Sequence, residues 1–121
     1  MVIKPFDRPD ESYAVPKGRF DVVRIGGFSI GRVTYEPGWR WSEHVGKAVG
    51  EARCIVEHVG LVVSGAATAA FEDGRVIELH AGSAFHIPPV PHDSWVLGGE
   101  PYVSLHFSHV DEYARSLRGR R

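Results

Sequence analysis

Short stretches in which apolar and polar residues alternate make up most of the chain, and glycines and prolines separate them. The stretch 28–35 alternates and is followed by the turn-forming pair Pro37-Gly38, which is typical of a strand that ends in a turn. The stretch 54–64 is dense in β-branched and apolar residues, which is typical of a strand buried on both faces. Asp73-Gly74 predicts a two-residue hairpin. The predicted strands are 20–25, 28–35, 54–64, 67–72, 75–79, 84–87, 94–97 and 102–107.

The remaining segments complete an all-β plan. One helix is predicted over 111–117, with Asp111 as a candidate N-cap. The segment 46–53 breaks the strand pattern with two glycines and predicts a loop or a short helical turn. Three prolines in 1–18 disfavour ladder pairing, so we expect an extended arm there. Many short strands with one terminal helix predict a sandwich or closed barrel, divided into an arm (1–18), a barrel domain (19–110) and a C-terminal helix with a basic tail (111–121).

Length and charge restrict the classes of function. A chain of 121 residues favours one domain with a single core. The 14 basic and 15 acidic side chains give a formal net charge of -1, so we expect neither nucleic acid nor a membrane as a partner. The C-terminal arginines lack interleaved aromatic residues, so we interpret them as a solvated tail; they are Arg115, Arg118, Arg120 and Arg121.

The cysteine count and the N-terminus bear on localisation. A single cysteine, Cys54, excludes an internal disulfide and fits a reducing compartment. The first ten residues lack a basic head followed by an apolar region, and no apolar run is long enough to span a bilayer. We therefore expect a cytoplasmic protein.

Four side chains that bind transition metals well occur along the predicted strands and turns, namely His44, Cys54, His58 and His92. Because side chains alternate along a strand, Cys54 and His58 would share one face. The pattern predicts a metal held inside the fold, with Cys54 as a candidate fourth ligand. The alternatives are hydrogen-bonded core histidines at 58 and 92, an exposed loop histidine at 44, and a thiol that packs as a small apolar group at 54.

Two motifs resemble those of the cupins, which are small jelly-roll barrels. Gly38 precedes His44 by the spacing of the first cupin motif, and His58 precedes Gly65 by the spacing of its close, with His58 in place of the motif's Glu. In the second motif, Gly82 and Pro88 match the opening, and His92 matches the histidine one residue early. The resemblance extends over residues 28–107 and implies a cupin-type jelly-roll β-barrel.

The first motif departs from the family where its second histidine would stand. Gly46 occupies that position, and Val96 replaces the final Asn of the second motif. If 46–53 is an inserted loop, Cys54 returns to the place of the missing histidine, four residues before His58. The resulting ligand set would be His44, Cys54, His58 and His92.

Further residues are predicted around this site. His106 alternates inward with Ser104 and is a candidate to support a ligand from outside the metal's direct contacts or to replace one, and the alternative is a histidine at the barrel rim. Asp93 is a candidate to orient His92. Aromatic side chains of a small barrel either fill its core or line a pocket for a small molecule; the pocket candidates are Trp41, Trp95, Phe85 and Tyr102.

The sequence leads to two functional hypotheses. The first is a single-domain cupin that holds a divalent transition metal (zinc, iron, nickel or manganese) through histidines and binds a small molecule. The second is a small metal-dependent enzyme, with a non-haem iron dioxygenase as the form that the resemblance implies. Cupins pair through sheet edges and arms, so the resemblance also implies a homodimer.

Overall fold

The structure is a computed structural model that describes residues 1–118; the predicted tail residues Arg120 and Arg121 lie outside them. The strands are β1 (Glu11–Val15), β2 (Gly18–Ile25), β3 (Phe28–Tyr35), β4 (His58–Ser64), β5 (Ala66–Phe71), β6 (Val76–His80), β7 (Ala84–Ile87), β8 (His92–Asp93), β9 (Val96–Leu97) and β10 (Tyr102–His106). The helical residues are a π-helical turn (Ser42–Gly46), α1 (Lys47–Val49) and α2 (Val110–Ser116). In the part of the chain described, none of the helices has the length and apolar character needed to cross a bilayer.

The strands form two antiparallel sheets. Six strands pair in the order β1-β2-β3-β10-β4-β7, and a second sheet has the order β6-β5-β8, with β9 also paired to β5. One apolar core takes side chains from both sheets, including Phe20 and Val62 from the first and Ala67 and Leu79 from the second. The all-β prediction with one C-terminal helix is confirmed. Among residues 1–118, strand pairing does not join the two sheets into a closed barrel.

The N-terminal segment differs from the extended arm predicted over 1–18. β1 pairs with β2 from Glu11 opposite Val22 to Val15 opposite Gly18. The turn between the strands is Pro16-Lys17, where proline's missing N–H costs no ladder bond and Lys17 adopts a φ of 60°. The arm prediction is therefore wrong for residues 11–18, because the paired positions contain no proline.

The segment that leads into the site differs in part from its prediction. The short helical turn predicted as one form of 46–53 is observed as α1 (Lys47–Val49), but the π-helical turn before it begins at Ser42, and β4 begins at His58 rather than at Cys54. Cys54 instead forms an isolated bridge with His92 of β8, in which each backbone N–H donates to the other's carbonyl oxygen at 3.0 Å. The chain thus passes from the second sheet at Cys54 to the first sheet at His58 within four residues.

A buried carboxylate joins the first three strands. The Asp21 side chain is fully buried on β2 and accepts hydrogen bonds from Ser12 Oγ at 2.7 Å, Arg19 Nη2 at 2.8 Å and Arg32 Nη2 at 3.1 Å. Burial by itself would raise the pKa of Asp21, but the hydrogen bonds from Ser12, Arg19 and Arg32 outweigh that effect and lower the pKa.

Acid is therefore expected to weaken the fold through Asp21. Because its folded-state pKa lies below the unfolded value of about 3.9, its contribution is complete above that pH and is lost as the pH falls through the folded pKa. Asp21→Asn should reduce the free energy of unfolding at pH 7 by about 2 kcal/mol, since both arginines are partly solvated. Urea unfolding at pH 7 and pH 3 measures both effects, with the exposed Asp7→Asn as control. An unchanged acid dependence in Asp21→Asn would contradict the prediction.

Candidate metal centre

Three buried side chains bring their potential ligand atoms together between the two sheets. One such atom from each of Cys54, His58 and His92 lies within 4.8 Å of the others. The Cys54 Sγ lies 3.7 Å from the His58 Nε2. The three residues are 3%, 6% and 3% exposed. A thiol and two imidazoles at this separation can converge on one transition-metal ion.

Backbone pairing determines this arrangement. The bridge between Cys54 and His92 places these two residues opposite each other. Side chains alternate from Cys54 to His58 as in a strand. Cys54, Val56 and His58 are buried, whereas Ile55 is 62% exposed. The predicted shared face of Cys54 and His58 is thus observed, although only His58 lies in a regular strand.

The ring of His92 is held in one orientation by a backbone carbonyl. Its Nδ1 lies 2.9 Å from the Val90 carbonyl oxygen. A carbonyl only accepts, so Nδ1 carries the hydrogen and Nε2 keeps a free lone pair for a metal. The Asp93 carboxylate does not perform the orienting role predicted for it. It accepts hydrogen bonds from Ser42 N at 3.0 Å, Ser42 Oγ at 2.7 Å and Ser94 N at 2.9 Å, and so fixes the start of the π-helical turn.

His44 is not brought to the other three residues. It lies in the π-helical turn, where the Arg40 backbone N–H donates to its Nδ1 at 3.0 Å. Gly46 gives a reason for the broken motif, because a Cβ there would lie 2.4 Å from the Glu51 carbonyl oxygen and 2.9 Å from the Trp41 ring. No side chain fits at 46 without movement of the backbone, and it is the Cys54 Sγ that lies beside the His58 Nε2.

His106 is a neighbour of the group rather than a member of it. Its ring centroid lies 5.2 Å from that of His58, and its Nε2 lies 3.0 Å from the Ser104 Oγ. The inward alternation predicted for Ser104 and His106 is observed, since both are buried. We therefore describe His106 as a polar wall of the site.

Burial keeps these groups uncharged. It raises the pKa of the Cys54 thiol to about 12 and lowers the pKa of His106 to about 4. Burial is also the main cause that lowers the pKa of His92 and of His58, and for His58 the neighbouring His106 and His92 lower it further. At pH 7 the ion-free site is thus a neutral thiol among neutral imidazoles, which a cation can convert to a thiolate site with release of a proton.

An interior cavity of about 40 Å³ adjoins the group. Three of the predicted pocket aromatics, Trp41, Phe85 and Tyr102, line it. Trp95 is not part of its lining, because its ring instead lies under the Arg40 guanidinium at 4.2 Å. An outer groove of about 460 Å³ lies between the 49–56 segment and α2, and both Trp41 and Cys54 line the groove as well as the cavity.

Sequence reasoning missed the part of the site that α2 supplies. The Tyr113 ring lies 5.0 Å from His58, and its hydroxyl lies 2.5 Å from that of Tyr35. Tyr35 in turn stacks on Trp39 at 3.6 Å. The apolar spacing of Val110, Tyr113 and Ala114 is the signal that was available, because it marks one face of a helix that packs on the core.

Comparisons with solved structures establish the fold. The polyketide cyclase RemF from Streptomyces resistomycificus aligns with a TM-score of 0.61 at 15% identity, over 88% of this chain and 77% of that chain. A DUF1255 protein from Acidithiobacillus ferrooxidans aligns with a TM-score of 0.60 at 21% identity, over 88% and 100%. The oxalate decarboxylase of Lactobacillus farciminis aligns with a TM-score of 0.54 at 19% identity, over 79% of this chain and 30% of that longer chain.

The sequence itself matches no family model and none of the curated proteins. At these identities the structural likeness concerns the fold alone. The chain has a cupin-type jelly-roll fold, as its two motifs implied.

Proposed function

We propose that this protein is a metal-binding cupin in which Cys54, His58 and His92 hold one divalent transition metal and the adjoining cavity takes a small molecule. The supporting observation is the convergence of three buried donor atoms within 4.8 Å of one another. The orientation of His92 by the Val90 carbonyl adds to it, because metal-binding histidines usually donate their second ring N–H in this way.

The chemistry of the donors favours zinc among the four metals considered. A thiolate and two imidazoles form a softer set than histidines with carboxylates, and zinc readily accepts sulfur and nitrogen ligands. Because burial raises the pKa of the Cys54 thiol to about 12, the metal has to displace the thiol proton when it binds. When bound, zinc supplies a Lewis acid that polarises an oxygen-bearing ligand.

A small metal-dependent enzyme is the second candidate, and the cavity is the observation that favours it. Three protein ligands beside an open space are typical of catalytic zinc sites, whereas structural sites are usually closed by four. Non-haem iron oxygenases commonly use two histidines and a carboxylate. The group found in residues 1–118 has a cysteine instead, so zinc chemistry fits it better than the dioxygenase chemistry predicted from the sequence.

Metal analysis of the purified protein tests the proposal. After equilibration with a zinc buffer and removal of free ions, elemental analysis should find one zinc per chain in the wild type. His44→Ala should also bind one zinc, because the wild-type His44 ring bonds to the Arg40 backbone and not to the group. Cys54→Ala should bind zinc at least 100-fold more weakly, because the loss of a ligand should exceed the 10- to 100-fold effect of a lost hydrogen-bond partner of a ligand. Wild-type protein that retains no zinc, or a His44→Ala variant that loses it, would contradict the ligand assignment.

We also propose a cytoplasmic homodimer. The unpaired Cys54 supports a reducing compartment. β1 is an outer strand of its sheet, and it follows the exposed apolar residues Met1, Val2 and Ile3; free strand edges and exposed apolar residues favour association. Light scattering at micromolar concentration should give twice the mass of one chain, and the mass of a single chain would exclude the dimer.

A further inference from the structure

Four buried ring nitrogen atoms lack a hydrogen-bond partner among the described residues. They are Trp39 Nε1, Trp41 Nε1, His58 Nδ1 and His106 Nδ1. All four side chains line the cavity of about 40 Å³. They are 2%, 4%, 6% and 7% exposed respectively, so bulk water does not satisfy them.

Hydroxyl groups near this cavity bond to partners other than the two indole N–H groups. The hydroxyls of Tyr35 and Tyr113 bond to each other, and the Ser104 hydroxyl bonds to the His106 Nε2. Much of the remaining lining is apolar, including Val33, Leu79 and Ile87. An indole N–H can only donate, and an unpaired buried donor is costly enough that native interiors rarely contain one. Two such donors beside one cavity therefore indicate an occupant that accepts hydrogen bonds.

The cavity also limits the size of that occupant. A buried water requires roughly 10–15 Å³ of such space, so about 40 Å³ accommodates about three water-sized atoms. The outer groove, at about 460 Å³, has the size of a pocket for a drug-sized molecule, and it shares only Trp41 and Cys54 with the lining of the cavity. A bulky ligand therefore fits the groove and not the interior.

We propose that the cavity binds a small anion of at most about three heavy atoms beside the metal ligands. The indole N–H groups of Trp39 and Trp41 donate hydrogen bonds to this anion. This inference rests on the proposed function, in which the ion held by Cys54, His58 and His92 supplies the positive charge that the neutral side chains lack. The inference gives Trp39 and Trp41 a role in ligand binding in addition to their role in core packing.

Azide provides a suitable probe, because it is an anion of three heavy atoms that accepts hydrogen bonds at both ends. Calorimetric titration of the zinc-loaded wild type should show one azide per chain, and benzoate, with nine heavy atoms, should not compete for it. Trp41→Phe keeps an aromatic ring but removes the donor, and should weaken azide binding roughly tenfold. Trp95→Phe is the matched control, since Trp95 lies outside the cavity lining, and its azide affinity should equal that of the wild type.

Separate measurements distinguish this inference from the proposed function. A zinc titration of each variant comes first, and Trp41→Phe should bind zinc as the wild type does. Normal zinc binding with no azide bound, equal azide affinity in Trp41→Phe and wild type, or benzoate that competes equally well would overturn the inference and leave the metal assignment intact. Failure to bind zinc would overturn the proposed function and, with it, the metal-assisted form of this inference. If Trp41→Phe does not fold, Trp39→Phe and the size selectivity of the wild type decide the outcome.

Discussion

Replacing His58 with alanine is expected to lower the affinity for zinc at least 100-fold. His58 lies on the first sheet and approaches both of the other two residues of the group. Its Nε2 lies 3.7 Å from the Cys54 Sγ, and its ring centroid lies 5.6 Å from that of His92. Loss of one of the three proposed ligands should exceed the 10- to 100-fold effect that is typical when a hydrogen-bond partner of a metal ligand is changed. Competition with a chromophoric chelator at fixed pH measures the dissociation constant directly.

His58→Ala has two effects, a loss of core packing and the loss of a proposed ligand, and control variants are needed to measure them separately. His58 packs against the rings of His92, His106 and Tyr113, so His58→Ala also removes core contacts. His58→Phe retains an aromatic ring and should lose zinc equally while it keeps more of the stability. His86→Ala changes an exposed histidine that pairs with Glu57 on the outer face, and its zinc affinity should be that of the wild type. Wild-type affinity in His58→Phe would show that this imidazole is not a ligand.

The fold was predictable because local periodicity and turn chemistry agree with it. β3 and β7 occupy the predicted ranges 28–35 and 84–87, and the hairpin at Asp73-Gly74 joins β5 to β6. These elements depend on alternation and on turn residues, both of which are read from neighbouring positions. The short pairings at 92–93 and 96–97 replace one predicted strand, because their length is determined by the contacts with β5 and not by a pattern of their own.

The candidate site was predictable where alternation determines which face a residue occupies. Alternation placed Cys54 and His58 on one side, and the motif spacing added His92 to the candidate ligands. It did not reveal that Cys54 pairs with His92 across the backbone, since the register between segments distant in sequence is a tertiary property. The position of His44 in a π-helical turn depends on the anchoring of Ser42 by Asp93, which spacing alone could not show.

The aromatic predictions show the same limit. Trp41 lines the cavity and Trp95 does not, although both are large aromatic residues of the same type. What separates them is the depth of burial and the Arg40 side chain stacked on Trp95. The role of α2 has a similar origin: a seven-residue helix closes over His58 because Tyr113 finds a hydroxyl partner in Tyr35. Such long-range hydrogen bonds leave no local signature in sequence.

A single added methyl group at Gly60 is expected to destabilise the protein by about 3 kcal/mol. Gly60 lies on β4 opposite His106 of β10 and two residues after His58. A Cβ there would lie 2.3 Å from the Leu105 carbonyl oxygen and 2.7 Å from the Phe85 ring. The ring could turn, but the carbonyl belongs to the neighbouring strand, so the two strands would have to separate next to the site. Overpacking of this kind costs about 1–3 kcal/mol, and displaced backbone places Gly60→Ala at the upper end.

Thermal and urea unfolding of Gly60→Ala measure this effect, which should lower the melting temperature by roughly 10 °C. Gly99→Ala is the matched control, because a Cβ at Gly99 meets no atom within 4 Å and its backbone is not left-handed; its stability should stay within about 0.5 kcal/mol of the wild type. The displaced strands bear His58 and His106, so zinc affinity of the folded Gly60→Ala protein should fall as well. Equal stability of the two variants would mean that β4 and β10 do not approach at Gly60 as closely as described, and the positions of both histidines beside the cavity would then have to be revised.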